Sequence, residues 1–375
     1  MRIALVHDWL TGMRGGEKVL EALCELFPEA DLFTLLHNLG SVSPTIEKRR
    51  IVTSMLQRLP GVSRGYRYYL PLMPTAIEGL DLLGYDLVVS SSHCVAKGVI
   101  TRSGAVHVCY SHTPMRYAWD QASSYFPPDR RINRLLVPPL LGYLRSWDVA
   151  SASRVDRFVA NSTFVAQRIR RYYRRSSTVV HPPVDTDFFR PRSDSERGGY
   201  LIVSALVPYK NLDLAIRAFN ALGRPLSVIG RGPMEKSLRA LAGPTIEFAG
   251  WVSDEELRDR YASCRALIMP AVEDFGICPL EANACGRPVI ALGQGGALDS
   301  VVPLDPDSPG DAAGPTGILY PESDVDGLRS AVLNFESYEG RFSPGRLRAH
   351  AERFDRKVFK QEMHQLIEQS LTTHA

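Results

Sequence analysis

No two of the six cysteines in this 375-residue chain stand at Cys-x-x-Cys spacing. Cys24, Cys94, Cys109, Cys264, Cys278 and Cys285 are scattered, several inside apolar segments. A disulfide framework and a zinc site are therefore disfavoured, and buried free thiols are expected. Long apolar runs are also missing. None approaches the ~20 residues that a membrane-crossing helix needs. The opening Met1-Arg2-Ile3-Ala4-Leu5-Val6-His7 leads into a strand with no leader-like stretch, so a cytoplasmic location is expected. The chain has no low-complexity tract and no short-period repeat. It also lacks the G-x-G-x-x-G spacing and the acidic strand end of a dinucleotide site, which disfavours a nicotinamide cofactor. No nucleic-acid-binding module accompanies its basic segments, so nucleic acid is not an expected partner.

What is present is ordinary for a soluble globular protein, with 45% hydrophobic and 23% charged residues. The length suits two domains, each with its own core. The net charge of +3 conceals an asymmetry: residues 1–192 carry 25 Lys and Arg against 16 Asp and Glu, and the remainder 19 against 25. Much of the basic excess falls between Arg130 and Arg175, where arginines alternate with Leu, Ile and Tyr. Such segments suit an anionic membrane surface or a phosphate-bearing partner, and equally an ordinary solvated helix face.

From Tyr200 onward short β-rich runs alternate with amphipathic helices. The strand candidates are Tyr200–Leu206, Leu226–Gly230, Ile246–Trp251, Arg265–Ala271 and Arg287–Leu292. Leu212, Ala215, Ile216 and Phe219 recur at helical spacing, and Ser253-Asp254-Glu255-Glu256 is a capping box. Strict alternation predicts a parallel, doubly wound sheet. The first half repeats the scheme with strands near Arg2–His7, Leu87–Ser91, Ala105–Tyr110 and Arg157–Ala160, and a helix over Lys18–Leu26. A Pro- and Asp-rich linker runs from His181 to Asp194. The expected division is therefore 1–192, 193–355 and a final helical segment, 356–375, packing back on the first domain. Two such α/β domains facing each other would leave a cleft between them.

The most informative stretch is Pro270 to Glu281, where Glu273 and Glu281 stand eight positions apart across a strand-to-helix turn. Gly276 permits the sharp turn, and Pro279 sits where a helix accepts its first residues. Both carboxylates then lie at the carboxyl edge of a parallel sheet, where ligands of open α/β folds bind. Lys210 and Gly230-Arg231-Gly232-Pro233 also follow strands and bring cations to that edge. Taken singly each is surface charge; taken together they make a diphosphate site. In the first half, Gly15 and Gly16 open a helix after a strand, and their N–H groups could approach a phosphate.

With these residues placed, the chain resembles the retaining glycosyltransferases of family 4, whose GT-B fold has two facing Rossmann-like domains. Val207-Pro208-Tyr209-Lys210-Asn211, Gly230-Arg231-Gly232-Pro233, Glu273-Asp274-Phe275-Gly276 through Glu281, and Gly293-Gln294-Gly295-Gly296 fall in the family's order. Tyr110 to Asp120 is similar to the variant in mannosyltransferases of bacterial O-antigen and exopolysaccharide assembly. The resemblance implies that Glu273 contacts the donor sugar and that Glu281 holds the ribose. Lys210 would neutralise the diphosphate leaving group without a metal or other cofactor. The backbone at Phe275, Gly276 and Ile277 would hold sugar hydroxyls, Val252 would meet the base, and Gly15 and Gly16 would border the phosphates. His112 would reach the donor sugar from the first domain, with Trp9, Arg116 and Tyr117 toward the acceptor. Many members carry an arginine five residues before the lysine, where this chain has Ala205, and Arg231 is the candidate replacement.

The implied activity is transfer of a hexose, mannose from GDP-mannose foremost, to a saccharide or lipid-linked acceptor. The enzyme would sit in the cytoplasm or peripherally on the inner face of the membrane. Two alternatives stay open: a nucleotide-sugar 2-epimerase of the same architecture, and a catalytically silent nucleotide-sugar-binding subunit.

Overall fold

The computed structural model describes residues 1–126, 131–192, 198–305 and 314–374. The chain divides into two compact units, Met1–Pro183 with Lys357–Ala375, and Val184–Arg356. The division falls inside His181-Pro182-Pro183-Val184, nine residues before the expected boundary at 192, because Val184 already bonds to the second unit through the Arg356 N–H. The charge asymmetry is unaffected, since the residues exchanged at the two boundaries carry no net charge.

The first unit is built on seven parallel strands: β1 (Ile3–His7), β2 (Asp31–Thr34), β3 (Ile51–Thr53), β4 (Leu87–Ser92), β5 (Val106–Ser111), β6 (Arg157–Ala160) and β7 (Ser177–Val179). Their order is β3-β2-β1-β4-β5-β6-β7. The central β4 and β5 are buried along their whole length, as parallel strands covered on both faces must be. β2, β3 and β7 were not anticipated. They have three or four residues each, and β3 and β7 are only partly buried outer strands without the apolar run that marks the centre. Helices α1 (Gly15–Leu26), α2 (Arg131–Ala152) and α3 (Thr163–Tyr173) cover the sheet.

In the second unit, β8 (Tyr200–Val203), β9 (Leu226–Ile229), β10 (Ile246–Gly250), β11 (Leu267–Met269), β12 (Val289–Leu292) and β13 (Gly317–Tyr320) form a parallel sheet in the order β10-β9-β8-β11-β12-β13. β11 is shorter than the run Arg265–Ala271 because Pro270 has no N–H to give the ladder. Helix α4 (Leu212–Leu222) buries Leu212, Ala215, Ile216 and Phe219, the residues whose spacing marked it. Helix α5 (Asp254–Ser263) starts at Ser253, whose Oγ accepts from the Glu256 N–H at 3.2 Å. The short α6 (Cys278–Ala284) carries Glu281 and has Pro279 in its first turn.

The last helix, α7 (Arg356–His374), belongs from Lys357 to the first unit. Its apolar face closes over the first unit's core. Phe359, Met363, Leu366 and Ile367 are buried beside Leu20 and Leu23 of α1, and the Phe359 ring meets Tyr110 edge-on at 5.6 Å. The strand order reverses between β1 and β4 in one unit and between β8 and β11 in the other. In open α/β sheets such reversals are where ligands bind, at the carboxyl ends of the strands.

Candidate active site

In the second unit, the segments leaving β8 and β11 bring Lys210 and Glu273 into an ion pair between Nζ and Oε1. Both side chains are mostly buried, so each ion offsets the desolvation of the other. The small pocket beside them is lined by Val203, Ser204, Lys210, Glu273, Gly276 and Cys278. Burial pushes the Cys278 thiol up to about 12, so it lines the pocket as a neutral group. Gly276 has φ +79°, in the left-handed region, and a Cβ there would lie 3.1 Å from Met269 Sδ. Only glycine turns the chain there without strain and without crowding its neighbours.

Glu281 is 3% exposed, and its Oε2 accepts a hydrogen bond from Tyr261 Oη at 2.9 Å. Tyr261 is fully buried in α5, and that burial raises its phenol well above its usual range, so it is a permanent donor. Sequence reading missed Tyr261. It lies 20 residues before its partner, in a helix whose signal is only its cap. Phe275 turns its ring into a cluster with Phe354 and Leu280, so the backbone is what it and the half-buried Ile277 offer to a ligand.

Gly295 and Gly296 brace the other side of the turn. The Gly296 N–H donates to the Glu273 carbonyl at 2.8 Å, and a Cβ on Gly296 would fall 2.2 Å from Phe275 Cα. Arg231 is exposed, and its carbonyl accepts from the Leu206 N–H at 3.0 Å. Its backbone is thus hydrogen-bonded to the residue next to Ala205, the position without the expected arginine. Val252 follows β10 on the same sheet edge, two strands from β8, and is half-buried.

In the first unit, β1, β4 and β5 end side by side and carry His7, Ser91 and His112. His7 Nδ1 is 3.1 Å from Ser91 Oγ, and Ser91 Oγ is 2.8 Å from His112 Nε2. Glu17, in the first turn of α1, places Oε1 3.8 Å from His7 Nε2. Burial opposes ionisation of Glu17, but His7, the charge of His93 and a backbone N–H together hold its carboxyl below the usual range. Burial, with His93, His7 and Arg116 adding to it, holds the His112 imidazole well below its usual range, so it is neutral at pH 7.

Asp8, fully buried, accepts the backbone N–H groups of His93, Cys94, Val95 and Ala96 at 2.6 to 3.0 Å and clamps the loop after β4. His93 Nδ1 lies 3.1 Å from the same carboxylate. His7, Asp8, Glu17, Ser91 and His93 were not anticipated as site residues, because sheet pairing rather than sequence proximity assembles them. Gly16 does border the site: a Cβ there would touch His7 and His112 at 3.6 to 3.8 Å, whereas one on Gly15 would meet nothing.

Trp9 is 3% exposed, its ring packed on Tyr66 and on the edge of His93; it is a wall behind His93 rather than an open face. Tyr117 packs against Tyr125 at 4.5 Å. The rest of the Tyr110–Asp120 motif fastens the loop. Arg168 donates to Thr113 at 2.6 Å and pairs with Asp120, and Trp119 Nε1 donates to Asp148 at 2.8 Å. Two arginines of the basic stretch are thus engaged inside the unit, while Arg170, Arg171 and Arg174 are exposed. Arg168 is buried, and Arg175 donates to the Ala152 and Val155 carbonyls at 2.9 and 2.6 Å.

Comparison with known proteins gives the family and the fold. The family model described as Glycosyltransferase Family 4 matches residues 13–188, and the one described as Glycosyl transferases group 1 matches 183–354. The GDP-mannose-dependent alpha-(1-6)-phosphatidylinositol monomannoside mannosyltransferase of Mycolicibacterium smegmatis is 31% identical over 53% of this chain and 60% of its own length. A monoacylated-substrate counterpart from Corynebacterium glutamicum is 28% identical over 51% and 58%. The chain thus spans less than two thirds of these relatives.

Among solved structures, sucrose-phosphate synthase from Thermosynechococcus elongatus superposes with TM-score 0.71 at 17% identity, covering 100% of both chains. Anabaena Alr3699/HepE in complex with UDP and glucose gives 0.71 at 16%, covering 98% and 99%. With both halves matched by the family's models and two parallel, doubly wound sheets, the chain belongs to glycosyltransferase family 4 and has its GT-B fold of two Rossmann-like domains.

Proposed function

We propose that this protein transfers a hexose from a nucleotide diphosphate sugar to a saccharide or lipid-linked saccharide acceptor, with retention of configuration. Mannose from GDP-mannose is the leading donor, and cell-surface polysaccharide synthesis, O-antigen included, the setting. The observation that carries this reading is the Lys210–Glu273 pair where β8 and β11 part, beside Glu281 fixed by Tyr261. Cleaving a sugar–phosphate bond builds positive charge on the sugar and negative charge on the diphosphate, so a fixed carboxylate and a fixed cation at one place lower the barrier. Glu273 takes the sugar side and Lys210 the leaving group, with Arg231 as second cation in place of the missing arginine. Glu281 takes the ribose. The two glutamates serve different parts of one donor, unlike the paired carboxylates that flank one bond in a glycosidase.

The donor assignment is supported by the relatives described as GDP-mannose-dependent mannosyltransferases. The neighbour bound to UDP and glucose shows the fold with another base. A thermal-shift screen of GDP-, UDP-, ADP- and dTDP-sugars tests it. The true donor at a hundredfold excess over its Kd stabilises by about 2.7 kcal/mol. Isomerisation of the nucleotide-sugar without an acceptor would replace transfer by epimerase chemistry. The lysine and arginine pair leaves no need for a divalent cation, so turnover should survive chelator. Activity lost in chelator and restored by magnesium or manganese would overturn that assignment.

No described helix is long and apolar enough to cross a membrane. Contact with a lipid-linked acceptor on the inner face of the membrane would therefore be peripheral, through the basic first unit.

A further inference from the structure

We infer that the Glu17 charge and the hydrogen-bonded His7 and Ser91 form a buried relay that fixes His112 in its Nε2–H tautomer and leaves Nδ1 as the acceptor for a sugar hydroxyl. The chain of contacts runs from the first turn of α1 across three neighbouring strands. Register sets it, since His7 pairs with Ser91 in the β1–β4 ladder, and His112 follows Ser111, the partner of Ser92 in the β4–β5 ladder. Glu17, His7 and Ser91 are all at most 3% exposed.

The direction of the relay follows from charge. His7 Nε2 faces the Glu17 carboxylate at 3.8 Å, an electrostatic contact, and has no hydrogen-bonding partner among the described residues. A lone pair there would oppose a negative oxygen, so Nε2 carries the proton, and in the neutral ring Nδ1 is an acceptor. The Ser91 hydroxyl then donates to His7 Nδ1 and must accept at its own oxygen, which requires Nε2–H on His112. A doubly protonated His7 would reverse every step and put the proton of His112 on Nδ1. The site residue thus has its hydrogen-bonding polarity set by groups that touch no ligand. Ser91, His7 and Glu17 are positioning residues.

The inference rests on the proposed transferase reading only in what His112 contacts; the tautomer is a property of the free protein. Nitrogen-15 chemical shifts of the full chain labelled at histidine read it directly. At pH 7.5 the wild-type His112 is expected to show a bare, pyridine-type Nδ1 and a protonated Nε2. Ser91→Ala should lose that preference and Ser91→Thr restore it. With the donor identified by the nucleotide-sugar screen, Ser91→Ala should lower kcat about five- to tenfold, the factor carried by one net hydrogen bond. Affinity for the sugar-free nucleoside diphosphate should stay unchanged. A protonated Nδ1 in the wild type, or a tautomer indifferent to Ser91→Ala, overturns the relay. The wild-type measurement decides even if a variant does not fold. A tautomer that shifts as expected with transfer unaffected upholds the relay and removes His112 from the reaction.

Discussion

Glu273 and Glu281 have the same functional group and lie eight residues apart, yet their surroundings assign them different work. Glu273 is paired with a cation at the pocket rim, while Glu281 is enclosed and receives a phenol hydrogen bond. Glu273→Gln is therefore expected to lower kcat about hundredfold or more while leaving donor affinity within a few-fold, since its charge matters as the bond breaks. Glu281→Gln should weaken donor binding by about 1.5 to 3 kcal/mol, the range for hydrogen bonds to charged groups. Steady-state kinetics with a binding isotherm separates the two, and equal effects on kcat and affinity at both positions would remove the division of labour. His107 makes a pH prediction. Burial lowers its imidazole from 6.5 to about 4, so the unfolded chain binds the proton more readily, and stability rises with pH between those values. Acidifying from pH 7 to pH 5 should cost about 2 kcal/mol through this residue alone. Denaturant melts of His107→Gln should lack that part of the loss, and parallel pH profiles for variant and wild type would assign it elsewhere. At this scale the sequence disclosed residues that sit in one continuous motif, Lys210, Glu273 and Glu281 among them. It concealed His7, Ser91 and Tyr261, whose roles arise from strand register and helix packing.

Elements were legible where burial imposes a pattern. The runs that became β1, β4, β5, β6, β8, β9, β11 and β12 are apolar because both faces of each sheet are covered, and α4 announced itself by its 3.6-residue period. β2, β3, β7 and β13 escaped because three or four residues at or near a sheet edge carry too little apolar signal. Another feature of this scale is a polar bolt between elements. Lys97, in the turn after β4, reaches into α2, where Nζ lies 2.9 Å from Asp148 Oδ1; both side chains are almost fully buried. Asp148 Oδ2 also accepts from Trp119 at 2.8 Å and from Tyr173 of α3 at 3.0 Å. One carboxylate therefore ties α2, α3, the β4 turn and the Tyr110–Asp120 loop together. Asp148→Asn keeps an acceptor for Trp119 and Tyr173 but leaves Lys97 as an uncompensated buried cation. The expected cost is about 3 to 5 kcal/mol of stability, measured by equilibrium denaturation. A loss below about 1 kcal/mol would mean that the Asp148 carbonyl and Ser151 Oγ, which also accept from Nζ at 2.7 and 2.5 Å, suffice for the ammonium without the carboxylate.

For the whole molecule, the opposing charges of the two units are the property that no single residue or element carries. The first unit holds nine excess positive charges and the second six excess negative ones. An anionic membrane would attract one unit and repel the other, as the proposed peripheral contact requires. Helix α2 adds an apolar component, with Leu135 75%, Leu136 58% and Tyr143 45% exposed. Arg134 beside them is exposed, while Arg130 and the side chain of Arg131 lie outside the described residues. Each basic residue close to an anionic surface contributes about 1 kcal/mol, so a few of them, with two or three inserted apolar side chains, hold a protein reversibly without any spanning helix. Co-sedimentation with phosphatidylglycerol-containing vesicles should show binding that weakens as salt rises, because exposed charges are screened beyond about 10 Å at 0.1 M. Arg130→Gln, Arg131→Gln and Arg134→Gln together should flatten the salt dependence, and Leu135→Ser with Leu136→Ser should lower binding at every salt concentration. Both sets should leave nucleotide-sugar binding intact, since none of these residues is among those assigned to the donor. If the wild-type protein stays in the supernatant with anionic vesicles even at 10 mM salt, the charge separation has no membrane role and the acceptor is a free saccharide.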